Sequence, residues 1–412
     1  KFKKTLDILY FSFIVLGKGG KMTIDYVWKD VFQAARLGFS PKKIWVSVKG
    51  ILYGLAGYSV LSYLSLMASG WQIKNIWQEF RYIPFPIFQG NLNWYGWIIW
   101  VLAGLLALFY YFVTMTAVSK ITYEQLKGDE FYESKEAWRF AYKNWKGTFL
   151  SPIYLALFIG ALLLVGLILG LVGRIPSVGQ ILIGLLGVPI LAGALFIVYL
   201  TIVMGVVLLT APAIAGTSES DTFDTLFEGF SLINDQTWRY VVWEIILLIT
   251  TFLGIFIFAY LAKYALSLMN NILGVWQGPR GWLNIMWKNA HWYLYMPFLP
   301  TWIAKWVPTF FIHGEFIHAG SGALAQYPGA ATTFGSFLLG LSFYLIVFII
   351  LGYGISIQGA GQTLIYTILV KIKDKKDLLE KEEEELFEPE EEPKEELEET
   401  EEKKEEEESK EE

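Results

Sequence analysis

Histidine and carboxylate in close spacing are the residue types most able to do chemistry in this chain, and they come together in one place. His313-Gly-Glu315-Phe-Ile-His318 offers imidazole and carboxylate, the ligand types that suit zinc or iron. The spacing is not that of a helical metal site. Residues five apart on a helix sit about 140° apart around its axis, so His313 and His318 do not share a face, whereas Glu315 and His318 do. A metal-dependent membrane enzyme built on His313, Glu315 and His318 is therefore one function class to carry, although the residues commit the chain to no metal site. The third histidine, His291, lies in the same outer segment. Glu244 is the acid nearest to a spanning core, five residues after Arg239, and its position fits a solvated or Arg-paired carboxylate at the membrane edge. Gly278-Pro-Arg-Gly281 is a turn. With no Walker loop, dinucleotide fingerprint, GxSxG or kinase signature, no catalytic residue and no cofactor are expected. No cysteine is present, which excludes disulfides, thiolate metal sites and a cysteine nucleophile.

The elements that would have to position such groups are membrane spans. Apolar residues make up 54% of the chain, above the average of about 45–50% for soluble domains. Six stretches are long enough to span and carry no charge in their cores: Ile51–Ser69, Tyr95–Val118, Phe149–Val172, Pro189–Ala211, Ile245–Ala262 and Ser336–Ile357. The longer apolar runs 178–214 and 335–370 leave room for one or two segments each. Pro189 divides the first run, and Gly352, Gly354, Gly359 and Gly361 interrupt the second. Both places are candidates for ligand-binding helix breaks, and the small residues also suit close helix packing. The expected fold is all-α: a polytopic helical membrane protein with six transmembrane helices, three amphipathic interfacial helices and a disordered acidic tail.

Charge divides the chain into parts. Residues 374–412 hold 23 acids against 7 lysines, so the remainder is basic by 10 charges although the whole chain is −6. The reading is an N-terminal interfacial region (1–50), a transmembrane domain (51–373) with a Trp-rich outer loop (263–335), and a Glu/Lys-rich cytoplasmic tail (374–412) with too little apolar area to fold. Residues 8–17, after the basic KFKK, are too short to span and read as an interfacial anchor or the remnant of a longer helix. With six spans, one side carries 19 lysines and arginines before the tail and the other 7. Basic loops stay inside, which places both termini in the cytoplasm and the protein in the cytoplasmic (inner) membrane.

The basic side repeats a device three times. Trp28, Val31, Phe32, Ala35 and Phe39 fall on one helical stripe; so do Trp138, Ala141, Tyr142 and Trp145, and so do Phe223, Leu226, Phe227 and Phe230. Each stripe is followed by a breaker: Gly38-Phe39-Ser40-Pro41, Gly147 through Ser151-Pro152, and Asn234-Asp235. The chain thus reads as an internal repeat of three units, each an interfacial helix, a span, an outer loop and a returning span. Lys42, Lys43, Lys135, Lys143 and Lys146 are placed to meet anionic lipid headgroups. The outer loop holds Trp276, Trp282, Trp287, Trp292, Trp302 and Trp306, broken by Pro297, Pro300 and Pro308. These residues suit an interface belt or a docking surface for a partner subunit.

Leu209-Thr-Ala-Pro-Ala-Ile-Ala215, then Phe223–Leu232, then Thr237-Trp238-Arg239 resembles a recurring pattern of the polytopic membrane-domain family found alone or fused to glycerophosphodiester phosphodiesterases. Tyr123–Trp145 is a looser second instance, and the resemblance covers residues 95–262. It implies a membrane architecture. The chain has no phosphodiesterase domain, so the resemblance implies no catalysis.

Three function classes follow. One is a non-catalytic integral membrane protein, a scaffold or accessory subunit of a larger membrane complex. Another is a carrier of lipid or another hydrophobic small molecule. The metal-dependent enzyme is the third. The expected partners are the bilayer, anionic headgroups on the cytoplasmic face, and proteins meeting the outer Trp-rich loop or the acidic tail. No nucleic acid is expected, since lipid accounts for the positive charge.

Overall fold

The computed structural model describes residues 24–80, 83–86, 92–276, 281–293 (backbone alone for 291–293), 329–375 and 377–379. Among these residues the chain is helical throughout and has no strand. After a 3-10 turn (Trp28–Phe32) the helices are α1 (Gln33–Gly38), α2 (Pro41–Ala68), α3 (Ile73–Phe80), α4 (Trp94–Lys127), α5 (Ser134–Lys143), α6 (Trp145–Val172), α7 (Val178–Leu185), α8 (Gly187–Ser218), α9 (Thr222–Gly274), α10 (Trp282–Tyr293) and α11 (Ala330–Asp374). Six of them, α2, α4, α6, α8, α9 and α11, are long and apolar enough to cross a membrane. The protein is therefore an integral membrane protein by length and composition.

Local chemistry sets several boundaries. Ser40 is extended and Pro41 opens α2 at its first position, where a missing N–H costs nothing. Asp221 caps α9 by accepting from Phe223 N at 2.8 Å and Asp224 N at 2.9 Å. Gly128, at φ +101°, ends α4 in the left-handed conformation that favours glycine. The third expected break is a kink inside α9: Gln236, next to Asn234-Asp235, has φ −133° and ψ 24°.

The second break differs from expectation. The second corner lies at Asn144, and Pro152 sits within α6. Gly38 and Gly147 are not left-handed caps. A Cβ on Gly38 would lie 2.8 Å from the Ile357 backbone, and one on Gly147 would press on the Ser220 carbonyl. Both glycines are there so that two backbones can approach. The same holds for the interrupted run 335–370, which is one unbroken helix. Gly352 meets Val48 of α2, Gly354 meets Ile255 of α9, Gly359 meets Val118 of α4, and Gly361 meets Leu247 of α9. A stripe of small residues lets several helices crowd onto one, the normal solution where lipid tails are as apolar as side chains.

α11 is thus a central packing helix, touching α1, α2, α4, α8, α9 and α10. The densest part of the interior joins Val31 and Leu37, Val203–Ile214 of α8, Leu232–Leu247 of α9 and Tyr353–Val370 of α11. It lies at the basic end, where α2, α6 and α9 begin and α4, α8 and α11 finish. Buried hydroxyls there satisfy themselves within their own helices, as Thr363 does with Gly359 O and Thr367 with Thr363 O, both at 2.8 Å. Others tie elements together: Ser356 donates to Gly38 O at 2.7 Å and Tyr353 to Ala35 O at 3.2 Å.

The three short elements of the basic end bury small residues and turn most aromatic ones out. Val31, Ala34, Ala137, Ala141, Thr225 and Gly229 are buried, while Trp28, Phe32, Tyr142, Phe223 and Phe227 are exposed. Each expected stripe therefore straddles two faces, and Trp138, Trp145 and Phe230 pack against the core while the other aromatics turn out.

Beyond α11, the chain is held at its root. Asp377 accepts from Tyr26 Oη at 2.7 Å and from Lys371 Nζ, and Leu378 O accepts from Tyr123 Oη at 2.8 Å. Residues 380–412, the bulk of the acidic tail, lie outside the described residues.

Candidate functional site: a lateral groove leading to a buried carboxylate

Phe348, Leu351, Ile355, Gln358 and Gln362 step along α11 by three and four residues, so they share one face. The apolar members line a groove against α2 and α4. Two adjoining cavities, about 340 and 220 Å³, share Leu55, Ile83 and Phe348. Together they reach the size range of small-molecule sites. Leu52, Ala56, Phe337 and Leu341 line the outer part, and Ala107, Tyr111 and Thr114 line the inner part.

One turn past Ile355 the same face becomes polar. Glu244 of α9 is only 7% exposed. Gln358 Nε2 donates to its Oε1 at 3.1 Å and Gln362 Nε2 to its Oε2 at 2.6 Å. Thr251 Oγ1 donates in turn to Gln358 Oε1 at 3.2 Å. Two amide donors suit a carboxylate that has left water, since hydrogen bonds to charged groups contribute about 1.5–3 kcal/mol each. Tyr111 lines the groove and lies within electrostatic reach of Glu244.

The polar end also has unused capacity. Tyr240 Oη faces Glu244, is buried and makes no hydrogen bond, and Gln362 Oε1 is buried without a donor. Each such group costs about 1–3 kcal/mol if left unmet. Glu244, Gln358 and Gln362 line neither cavity and lie one turn beyond the inner one. The arrangement presents no nucleophile–base pair.

The expectation for Glu244 is corrected by this geometry. Arg239 does not pair with it: Arg239 Nη1 donates to Gln236 Oε1 at 2.8 Å, at the kink. Glu244 turns inward to α11. The signal that could have revealed this was Gln358 and Gln362, two amides four residues apart in an otherwise apolar run.

The headgroup lysines separate as well. Lys43 is fully buried, and its Nζ donates to Leu37 O at 3.0 Å, at the end of α1. It cannot meet a lipid. Lys135, Lys143 and Lys146 are exposed, and Lys42 is half-buried. Of the two expected ligand-binding helix breaks, only the one before Pro189 exists, as the corner at Leu186 between α7 and α8. The continuous α11 has no free backbone groups at Gly352–Gly361.

His313, Glu315 and His318 lie outside the described residues, as do Trp302, Trp306, Pro297, Pro300 and Pro308. Trp276 is 94% exposed and Trp282 is also exposed. Trp287 instead packs edge-on against Phe343 with ring centres 5.0 Å apart. The residues carrying the family resemblance sit at the end of α8 and on both sides of the α9 kink. Compared with models of known families, with curated proteins and with solved structures, the chain matches none of them.

Proposed function

We propose that this protein is a non-catalytic carrier that takes an apolar or amphipathic small molecule sideways from the bilayer into the groove between α2 and α11. The observation that carries this reading is the continuity of one α11 face, from the lipid-level residues Phe348 and Leu351 to Gln358 and Gln362 on Glu244. Aliphatic walls accept a chain, and the amide–carboxylate cluster one turn beyond them meets its polar head. In this reading the basic end faces the cytoplasm, both termini lie there, and the membrane is the cytoplasmic one, following the lysine and arginine bias.

The test uses full-length protein in nanodiscs of native lipid, stripped by detergent exchange and examined by mass spectrometry for retained small molecules. Wild type should keep one species in stoichiometric amount. Ala56→Trp fills the groove from an exposed position and should lose it. Equal retention by both proteins rules the groove out. The scaffold or accessory-subunit assignment rests on the outer Trp-rich segment, whose Trp276 and Trp282 are exposed. Stoichiometric protein partners with no small molecule would move the assignment there.

A further inference from the structure

The opposite face of the α2/α4 hairpin carries a second concavity with different chemistry. Lys42, Lys49 and Tyr53 fall on one stripe of α2, at i, i+7 and i+11. With Tyr110 of α4 and Lys135, Trp138 and Tyr142 of α5 they line a groove of about 740 Å³. Its walls are aromatic: Trp138 stacks on Tyr142 at 5.5 Å and meets Tyr53 edge-on at 6.2 Å.

The groove is rich in donors and poor in acceptors. Lys42 Nζ donates to Glu130 O at 2.7 Å and to Tyr132 O at 3.3 Å, which leaves one of its three hydrogens. Lys49 lies over the Trp45 ring at 5.5 Å. No salt bridge engages Lys42, Lys49 or Lys135 among the described residues, and Glu133 is the one acid in the lining. Trp138 Nε1 is buried and has no hydrogen-bond partner. An indole N–H can only donate, so any partner it takes is an acceptor. The Tyr142 phenol, pushed up to about 12 by burial, by a hydrogen bond to Tyr110 and by Tyr53, stays protonated at neutral pH. Three ammonium groups around one space, with the Trp138 indole in its wall, match the acceptor-only oxygens of a phosphate. The aromatic walls at the interface favour a phosphate carried by a lipid.

The geometry points to a binding site for the phosphate-bearing headgroup of an anionic lipid, formed by Lys42, Lys49, Lys135 and Trp138 between α2 and α5. This site is independent of the Glu244 groove, and either can fail alone.

Full-length protein in mild detergent is titrated with phosphatidylglycerol and, separately, phosphatidylcholine, with bound lipid counted by native mass spectrometry. Circular dichroism of each variant checks folding. Wild type should retain phosphatidylglycerol. K49Q/K135Q should weaken it by about thirtyfold, roughly fivefold per lysine. Trp138→Phe keeps the ring, loses only the N–H and should weaken binding several-fold. K143Q/K146Q removes the same charge from the same face outside the groove and should change little. Inorganic phosphate as competitor separates the sources. Displacement of the lipid at millimolar phosphate would assign the site to a free anion and overturn the lipid assignment. Equal losses from the two lysine pairs, or no effect of Trp138→Phe, would overturn the site and leave a diffuse surface charge.

Discussion

Helices α6 and α11 are built from similar material and used in opposite ways. α6 is the most apolar of the six spans, yet only 6% of its most apolar 18-residue window is buried, against 22% for α11. Leu157, Leu163, Leu164, Leu167 and Leu171 of α6 are all exposed. α11 brings Gly352, Ser356, Gly359, Gly361, Thr363 and Thr367 to its contacts, and these are buried. Because lipid is as apolar as leucine, large apolar side chains gain little by turning inward. Small and hydroxyl residues let backbones close up and gain contacts that lipid cannot supply. Small residues mark the closest helix approaches on α11.

Substitutions can sharpen that contrast, and the largest effect should come from Gly38→Leu. Its Cβ would meet the backbone of Ile357, which cannot step aside. A loss of about 3 kcal/mol or failure to assemble is expected in SDS unfolding from mixed micelles. The matched change Gly166→Leu in α6 meets nothing within 4 Å and should gain a few tenths, up to about 1 kcal/mol, from helix propensity. If both glycines tolerate leucine equally, the contrast is wrong.

Next in size is Glu244→Ala, which leaves the amides of Gln358 and Gln362 without an acceptor. A destabilisation of about 3 kcal/mol is expected in the same assay, with Glu244→Gln recovering part of it. Ser356→Ala removes one bond to Gly38 O and should cost about 1 kcal/mol.

Tyr26→Phe should cost less in global stability, but limited proteolysis just after Leu379 should speed up because Asp377 loses a donor. Burial, then the bond to Asp377, raises the Tyr26 phenol above its ordinary value. The neutral phenol is therefore the form that folding favours. This tail-root contact is complete below about pH 10 and lost as pH climbs through the raised value. Proteolysis of wild type should accelerate over that alkaline range and that of Tyr26→Phe should not. The smallest effect belongs to Leu167→Ala: at 71% exposed, it should shift stability by about 0.5 kcal/mol or less.

Legibility in the sequence followed the same division. All six spans were readable, because a run of about 20 apolar residues has few other uses. The kink beside Asn234-Asp235 and the start of α2 at Pro41 were readable from local chemistry. The glycines misled. Read along the chain, Gly352–Gly361 looks like a break and Gly38 like a cap, because glycine's conformational freedom is a local property. What those glycines do is non-local: each admits a residue from a helix up to 319 positions away, as Gly38 does with Ile357. The candidate site was half legible. Glu244 stood out as the acid nearest a span, but its partners are amides 114 and 118 residues onward. Lys43 and Lys42 are adjacent in sequence and point to opposite fates, one inside the bundle and one at its surface. That split depends on which side of α2 meets α1.

The central place of α11 also sets the order in which the protein can be made. Chains emerge N-terminus first, so α2, α4, α8 and α9 enter the membrane before the helix they pack against exists. Until residues 352–370 arrive, Val48, Val118 and Leu247 face lipid, and Glu244 waits without its amide donors. Assembly of the interior around α11 therefore finishes late, although α2 with α4 and α6 with α8 can pack before it. A nascent chain stopped before α11 is an inserted but unfinished protein, exposing a buried acid to whatever quality control inspects the membrane.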